Sequence, residues 1–325
     1  MPAAIENGAR SMFRIVFVVI GGSIPENNVV FELYRAQITK KNADRKLLYE
    51  ISVVHVFSIE SRWLILLPKK REDAMNLGIR GKRAVIIGGS SGLGFAAATA
   101  LAEEGVDVTL FARNNEALEE AARQLGRLNV QSDCVAGDVT RLDDLNQLAE
   151  HLTERGGLDI LVLNTPRPPS PMRDFLDETD DQRWREAHRD QLDAGLNVLR
   201  VLPRLLCGKG WGRVIGITSA SVKNPMPRHA ISTIFRAGIQ AALKHLALEL
   251  ASEGITVNAV APATIVTPTF SQFHDLEARI QATPLGRAGT PEELGACVAF
   301  LASQQAGYLT GQILQLDGGR TGGLL

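Results

Sequence analysis

The chain has 325 residues, of which 45% are hydrophobic and 22% are charged, and its formal net charge at pH 7 is −1. This composition is ordinary for a globular protein, and the small net charge excludes an overall attraction to nucleic acids or anionic membranes. We therefore expect neither a nucleic-acid partner nor a membrane partner. Three widely spaced cysteines, Cys134, Cys207 and Cys297, form no disulfide or zinc pattern, which favours a reducing, cytoplasmic setting.

Residues 1–74 differ from the rest of the chain, because they carry 11 Lys and Arg against 8 Asp and Glu, whereas the remainder carries 24 against 28. The apolar runs at 13–22 and 63–68 are too short to span a bilayer, which takes about 20 residues. Three alternatives stay open for this leader: a loosely ordered or non-native segment, a small appendage with a strand at 53–57, or a targeting or membrane-contacting segment. We predict an N-terminal extension of unknown role over 1–74 and one main domain over 75–325.

The main domain alternates short apolar runs with longer amphipathic stretches. Runs rich in Val and Ile and bounded by Gly, Asp or Asn predict strands at 83–88, 106–112, 132–137, 158–164, 213–218, 255–261 and 312–317. Ala and Leu at helical spacing predict helices between them, and two long helices are expected near 181–206 and 232–252. This alternation implies the α/β class, with a doubly wound parallel sheet covered by helices on both faces.

The first predicted strand of this domain runs through the glycine-rich sequence IGGSSGLG, residues 87–94, into a helix. Glycine permits a positive φ at the turn and a close approach of the backbone to a pyrophosphate, while the helix N-terminus offers free N–H groups and a positive dipole end. The sequence therefore predicts a dinucleotide site whose phosphates contact Gly88, Ser90, Ser91, Gly92, Leu93 and Gly94. A tight turn without a ligand is the alternative.

The end of the second predicted strand of this domain indicates which dinucleotide is preferred. An acidic residue there would bind the adenosine ribose hydroxyls and repel a 2′-phosphate. This chain has Ala112 at that place, followed by Arg113, whose guanidinium can pair with a 2′-phosphate. NADP is therefore expected in preference to NAD, although a solvated surface arginine is the alternative. Asp138 and Val139, after the third strand, are placed to contact the adenine.

The chain resembles the short-chain dehydrogenase/reductase family over about 250 residues. The resemblance rests on the order and spacing of the glycine loop, LNTP (163–166), NAVAPA (258–263), PLGRAGTPEELGACVAFLAS (284–303), YLTGQ (308–312) and LDGG (316–319). It implies a seven-stranded sheet of Rossmann type, a homodimer or homotetramer that pairs through the two long helices, and a small-molecule carbonyl or alcohol as substrate. It also implies cofactor contacts for Asn164 and Thr267. Asn164 is the one residue of the family's NNAG motif that the sequence LNTP keeps.

The usual catalytic residues of that family are Asn, Ser, Tyr and Lys. By the family's spacing, the matching positions in this chain are occupied by Gln191, Ser219, Ser232 and Arg236. Only the serine is kept. A serine hydroxyl is a far weaker acid than a tyrosine phenol, and arginine stays charged and cannot shuttle protons. Arg236 can still hydrogen-bond the nicotinamide ribose and supply positive charge. The usual proton relay is therefore absent, while the cofactor site is complete in outline.

Two functions fit this pattern. The first is an NADP(H)-dependent oxidoreductase of the carbonyl reductase or alcohol dehydrogenase type, in which Ser219 stabilises the oxyanion, Arg236 supplies charge, and water or His229 delivers the proton. The alternative is a nucleotide-binding protein with little or no turnover that acts as a sensor or partner subunit; non-redox chemistry on the same fold is a third possibility. Substrate specificity is expected from segments 165–175, 221–231 and 266–283. For His229 and Lys223, which lie in the second segment, the alternative to a role in the pocket is an ordinary surface position.

Overall fold

The computed structural model describes residues 76–164, 166–267 and 275–323, together with the backbone of four strands in the leader. The chain divides into two compact units, Met1–Met75 and Asn76–Leu325. In the first unit, four strands form an antiparallel sheet in chain order: β1 (Phe17–Val19), β2 (Val30–Thr39), β3 (Leu48–Ile59) and β4 (Arg62–Leu66). The expected strand at 53–57 lies within β3, whereas most of the apolar run 13–22 lies outside the described residues.

The second unit is built on a seven-stranded sheet in which all neighbouring strands are parallel. Its strands are β5 (Arg83–Ile87), β6 (Asp107–Ala112), β7 (Ser132–Ala136), β8 (Ile160–Asn164), β9 (Gly212–Ile217), β10 (Ile255–Pro262) and β11 (Ile313–Leu316). They lie in the order β11-β10-β9-β8-β5-β6-β7. The predicted doubly wound sheet of seven strands is therefore confirmed, and each strand lies within two residues of its expected bounds.

Helices cover both faces of this sheet, because alternate side chains of each buried strand point to opposite faces. The helices are α1 (Gly92–Glu103), α2 (Asn115–Gly126), α3 (Leu142–Glu154), α4 (Asp181–Ala187), α5 (Ala194–Val201), α6 (Ala230–Leu250), α7 (Leu276–Gln281) and α8 (Pro291–Ala302). Ile86 packs in one core layer with α1, α2 and α8. Val85 and Ile87 pack in the other layer with α3, α5 and α6. No helix in the described ranges is long and apolar enough to cross a membrane.

One expected helix is not regular. The stretch 181–206 comprises α4, a π-helical turn at His188–Asp193, α5 and a 3-10 turn at Leu202–Leu206. A π turn contains one residue more than an α turn, so it changes the direction of the side chains that it carries, and such turns are frequent at functional sites. Gln191 lies in this π turn and is fully buried.

The strand order reverses between β5 and β8, because the chain first builds outward through β6 and β7 and then returns to the other side of β5. In open α/β sheets, ligands bind at such a switch point, outside the carboxyl ends of the strands. The topology therefore places the candidate site at the carboxyl ends of β5 and its neighbours.

Candidate active site

A cavity of about 810 Å³ lies at the carboxyl ends of the central strands of the second unit. The connections that follow β5, β6, β7, β8, β9 and β10 all contribute to its lining. Most of the predicted site residues meet there: Gly88, Ser90, Ser91, Gly92, Leu93, Arg113, Asp138, Val139, Asn164, Ser219, Ser232, Arg236 and Thr267. Gly94 and Gln191 lie behind this lining. The described residues hold no group of three or more His, Cys, Asp or Glu that could bind a metal ion.

The glycine loop makes the backbone available at one end of the cavity. Gly88 and Gly92 adopt positive φ angles of 70° and 57°. A Cβ on Gly94 would overlap the carbonyl oxygen of Gly88, so the helix can pack this closely only with glycine there. Asn164 braces the loop, since its side-chain amide donates to the Gly88 carbonyl at 3.4 Å.

The N-terminus of α1 faces this loop without a side-chain cap. Ser91 is the N-cap residue but makes no capping hydrogen bond, and the first turn of α1 has no acidic residue. By contrast, α2 is capped by Asn114 and α8 by Thr290. The free N–H groups of α1 and its dipole therefore remain available for an anion, which fits the pyrophosphate of a dinucleotide.

Arg113 and Asp138 give the adenosine end of the cavity mixed charge. Arg113 is exposed at the end of β6. The carboxylate of Asp138 accepts hydrogen bonds from the backbone N–H and the hydroxyl of Thr140, at 2.9 and 2.8 Å. Burial would raise the pKa of Asp138, but these hydrogen bonds, followed by Arg113 and Arg189, lower it, so the group is a carboxylate at neutral pH. Arg113 is thus a nearby cation that the fold leaves accessible to a phosphate.

Ser219 follows β9 and begins a short 3-10 turn, Ala220–Val222. Its hydroxyl oxygen accepts from the backbone N–H of Ser221 at 3.3 Å and lies 3.0 Å from the Ser221 hydroxyl. These contacts orient the Ser219 side chain at the cavity wall. Because either serine can donate in the hydroxyl pair, the Ser219 hydrogen is available to an oxygen in the cavity when Ser221 is the donor.

Arg236 lies one turn after Ser232 on α6 and joins it to Gln191. One guanidinium nitrogen of Arg236 donates to the Ser232 hydroxyl at 2.6 Å and to the Gln191 side-chain oxygen at 3.1 Å. A guanidinium only donates, so Ser232 must accept in this bond, and no described acceptor takes the hydroxyl hydrogen of Ser232. Ser232 can therefore donate into the cavity, with Arg236 polarising its hydroxyl and Gln191 positioning Arg236 from behind.

His229 precedes α6, and the geometry fixes its protonation. Its Nδ1 lies 2.7 Å from the Pro227 carbonyl oxygen, and its Nε2 lies 3.1 Å from a guanidinium nitrogen of Arg279. A carbonyl only accepts and a guanidinium only donates, so the ring carries its hydrogen on Nδ1 and is neutral. Burial, together with Arg279, Arg320 and Arg236, lowers the pKa of His229. This geometry gives no support to His229 as the proton donor.

The other loop candidate, Lys223, is exposed and, unlike His229, does not contribute to the described lining of the cavity. Two arginines that sequence reasoning did not single out do line it. Arg167 follows β8 and donates to the Thr267 hydroxyl at 3.2 Å, and Arg279 lies on α7. Both fall in segments where specificity was expected. The available signal was the absence of acidic residues from 165–172 and 263–274.

The proline-rich wall at 166–172 is held from outside the cavity. Arg183 donates to the Pro171 carbonyl at 2.6 Å and pairs with Glu178 through two bonds of 2.9 and 3.0 Å. The Glu178 side chain is nearly fully buried, and the hydrogen bond from Arg183 is the largest cause that lowers its pKa. Trp184 donates to the Glu178 carbonyl at 2.8 Å. These contacts anchor the wall on α4.

Comparison with known proteins gives matches to nearly the whole second unit. A family model described as enoyl-(acyl carrier protein) reductase matches residues 88–321. Oxidoreductase asL5 of Sarocladium schorii is 34% identical over 245 residues, which are 74% of this chain and 96% of that protein. The 3-oxoacyl-[acyl-carrier-protein] reductase FabG of Chlamydia muridarum is 32% identical over 250 residues, 75% of this chain and 99% of its own length.

Solved structures match over the same extent. The crystal structure of L-sorbose reductase from Gluconobacter frateurii, complexed with NADPH and L-sorbose, matches with a TM-score of 0.70 and 31% identity. The match covers 77% of this chain and all of that one (100%). The sequence relatives and this structure are all described as reductases or oxidoreductases, and the structure has the same fold as the second unit.

Proposed function

The chain belongs to the short-chain dehydrogenase/reductase family, and from that premise we propose that it is an NADP(H)-dependent oxidoreductase with an altered catalytic set. The observation that carries this proposal is the composition of one cavity. An uncapped helix N-terminus and a glycine loop lie at one end, and Ser219, Ser232 and Arg236 line the same space. A phosphate cradle and a set of hydroxyl donors are thus within reach of one extended ligand.

The residues present fit a nicotinamide dinucleotide. Gly88, Gly92 and Gly94 leave room for a pyrophosphate at the start of α1, and a side chain on Gly94 could not be accommodated. Asn164 and Thr267 line the part of the cavity that the nicotinamide half would occupy. L-sorbose reductase, a related structure, was solved with NADPH. When bound, the reduced nicotinamide supplies the hydride that converts a carbonyl carbon into a carbinol carbon.

We assign NADP preference to Arg113. The residue before it is Ala112, so the ribose would meet no carboxylate at the end of β6. Arg113 can pair with the 2′-phosphate in the bidentate geometry that guanidinium groups favour. Asp138 lies close enough for Arg113 to lower its pKa, and its carboxylate is engaged by Thr140. NAD is the less favoured cofactor.

Ser219 and Ser232 would donate hydrogen bonds to the carbonyl oxygen of the substrate, where negative charge develops during reduction. Arg236 polarises Ser232 and adds positive charge beside that oxygen. Burial lowers the pKa of Arg236 to about 10, which still leaves it a cation at neutral pH. Because Arg236 does not release a proton there and His229 is neutral, water delivers the proton. Ser232 and Arg236 would then stand in the places of the family's tyrosine and lysine.

A nucleotide-binding protein with little or no turnover, acting as a sensor or partner subunit, is the second candidate. Two observations favour it. Ser232 is a weak acid, and both ring nitrogens of His229 already have hydrogen-bond partners within the protein. Both candidates use the same cofactor site. They differ in whether a carbonyl is reduced.

We further propose a homodimer or homotetramer that pairs through α4, α5 and α6. Ile234 and Leu248 on α6 are exposed, at 44% and 71%, although both are large and apolar. Burial of these side chains against a second copy would remove apolar surface from water. The three cysteines are all free, which supports a cytoplasmic setting.

NADPH oxidation tests the proposed function. We expect NADPH absorbance to fall with at least one compound in a panel of ketones and quinones, and Ser219→Ala to slow that reaction about 100-fold, because one oxyanion donor is lost. Thr153→Ala, an exposed hydroxyl on α3, is the matched control and should leave the rate unchanged. Tight NADPH binding without oxidation by any compound would favour the second candidate.

A further inference from the structure

The end of the cavity beyond β8, β9 and β10 is cationic. Arg167, Arg236 and Arg279 line it together with His229. The acidic side chains in the described lining are Asp138, at the opposite, adenosine end, and Asp190. Asp190 accepts a hydrogen bond of 2.7 Å from Arg189, which partly offsets its charge. Positive charge therefore exceeds negative charge where a substrate would lie.

Arg236 carries a charge that the described part of the protein does not neutralise. Its acceptors among the described residues are uncharged oxygens, those of Ser232, Gln191 and Pro166, and its buried Nε has no partner among them. Burial of an unpaired charge is costly unless a counter-charge is supplied. The cavity is the side from which such a counter-charge can come.

A second buried arginine, Arg213, has a structural role and can be compared with Arg236. Arg213 directs its Nε and both terminal nitrogens at the carbonyl oxygens of Gly212 and Ser303, and it stacks on Trp211 with 4.3 Å between its guanidinium carbon and the ring centre. Ser303 is the C-cap of α8, where a cation is stabilised by the helix dipole. Among the described residues, Arg236 differs from Arg213 in that its Nε has no acceptor and no aromatic ring stacks on its guanidinium.

The cations gather around His229. Arg279 donates to its Nε2 at 3.1 Å. After burial, the groups that lower the pKa of His229 are Arg279, Arg320 and Arg236. Burial is also the largest cause that lowers the pKa of Arg279, followed by Arg320 and Arg228. Like charges this close repel one another, and an anion between them would relieve the repulsion.

We propose that the substrate of this site carries an anionic group, a carboxylate or a phosphate, near the carbonyl that is reduced, and that Arg279 and Arg236 bind this group. The inference rests on the proposed carbonyl reductase function for the identity of the reacting group. Guanidinium groups bind both anions in a bidentate manner, which fixes orientation as well as adding affinity. Arg167, at the mouth of the same region, attracts the anion from solvent.

Matched pairs of ligands test the inference by binding as well as by turnover. The first pair is 2-oxo-4-phenylbutyrate and its ethyl ester, and the second is dihydroxyacetone phosphate and dihydroxyacetone. Calorimetric titration of the full chain saturated with NADP⁺ gives the affinity of each compound. We expect the charged member of one pair to bind at least tenfold more tightly than its neutral partner, and the pair that shows this preference identifies carboxylate or phosphate.

Variants that lack one arginine charge test whether the preference for the charged ligand depends on the arginines of the cavity. Arg279→Gln should weaken binding of the preferred charged compound about 10- to 100-fold, the value of a lost charge-assisted hydrogen bond, and should leave its neutral partner within about twofold. Arg185→Gln on α4, whose side chain is 76% exposed, removes the same charge from the surface and should change neither affinity. If Arg279→Gln fails to fold, Arg167→Gln is expected to reduce the same preference.

The outcomes separate the inference from the proposed function. Equal affinity for both members of each pair, or failure of both charged compounds to bind, would overturn the inference. NADPH oxidation by neutral ketones would then leave the reductase proposal intact. Preferential anion binding without NADPH oxidation by any of the four compounds would support the anion site and contradict the reductase proposal.

Discussion

Arg236 and Ser232 act as a pair whose chemistry differs from that of a tyrosine and a lysine. A lysine can lower the pKa of a neighbouring phenol and pass protons on, whereas a guanidinium remains charged and only donates hydrogen bonds. In this site the arginine makes the serine a hydrogen-bond acceptor and leaves its hydrogen free for the cavity. The pair can therefore stabilise an oxyanion but supplies no strong acid.

The first prediction concerns a double substitution of Ser232 and Arg236. Ser232→Tyr combined with Arg236→Lys should raise NADPH-dependent reduction of an activated ketone about tenfold, because proton transfer by a positioned group typically contributes about 10²–10⁴-fold. Ser232 lines the cavity, so a tyrosine ring can extend into open space. The measurement is the steady-state rate of both proteins with saturating NADPH. If the double variant binds NADPH and melts like the parent but is no faster, the site has been rebuilt for other chemistry.

The second prediction concerns Arg113. Arg113→Ala should weaken NADPH binding about tenfold and leave NADH binding unchanged, because a charge-assisted hydrogen bond to the 2′-phosphate is worth about 1.5 kcal/mol at an exposed position. Fluorescence titration of both cofactors gives the two affinities. Arg127→Ala, an exposed arginine at the other end of α2, serves as the control. Equal affinity of the parent for NADPH and NADH would refute the specificity assignment.

The places of residues at strand ends could be predicted from the sequence, whereas contacts between residues that meet only in space could not. Asn164 is the last residue of β8 and Ser219 comes two residues after the end of β9, so their places at the sheet edge could be predicted from the pattern. Arg279 reaches the cavity from α7, and no local spacing indicates that contact. The neutral state of His229 also depends on Arg279, which is 50 residues away in the chain.

At the scale of elements, the cavity wall at 166–172 depends on α4. Glu178 and Arg183 form a buried pair, and Arg183 also binds the carbonyl of Pro171. Removing one partner from a buried pair leaves an uncompensated charge, which costs about 3 kcal/mol. Neutralisation of Glu178 would therefore leave the Arg183 guanidinium, which binds the wall at Pro171, buried without its counter-charge.

The third prediction is a pH dependence of this anchor. Glu178→Gln should lower the free energy of unfolding by about 3 kcal/mol at pH 7. The folded-state pKa of Glu178 lies below its usual 4.5, so its contribution is fully present above that pH and is lost as pH falls through the folded value. Urea unfolding at several pH values should show the two proteins converging on acidification. A difference that stays constant below pH 4 would contradict the assignment.

Regular elements were predictable because burial imposes a pattern on them. All residues of β9 and β10 are buried, and most of them are apolar, so these strands stand out in the sequence despite Arg213, Thr256 and Asn258. The π turn at His188–Asp193 was not predictable, since its residues have ordinary helical preferences. Its position depends on packing, with Gln191 enclosed beside Arg236.

The described core layers and the described cavity lining belong to the second unit. Both core layers and all described cavity-lining residues lie within Asn76–Leu325. The first unit is a sheet of four antiparallel strands. The two units thus have separate backbone hydrogen-bond networks in their sheets.

The fourth prediction follows from this separation. We expect residues 75–325 to fold and to bind NADPH without residues 1–74, with a melting temperature within a few degrees of that of the full chain. Thermal unfolding of the two proteins, with and without NADPH, is the measurement. Insoluble protein, or a melting temperature lowered by many degrees, would show that the first unit contributes to the core.

Transfer of a labelled hydride tests the proposed reduction of a carbonyl at this site. NADPH deuterated at either face of nicotinamide C4 is incubated with the full chain and the best carbonyl compound of the panel, and the product is analysed by mass spectrometry. We expect an alcohol that carries deuterium on the carbinol carbon with one of the two labelled cofactors and not with the other. An unlabelled alcohol from both cofactors, or no alcohol although NADPH binds, would contradict the proposed hydride transfer.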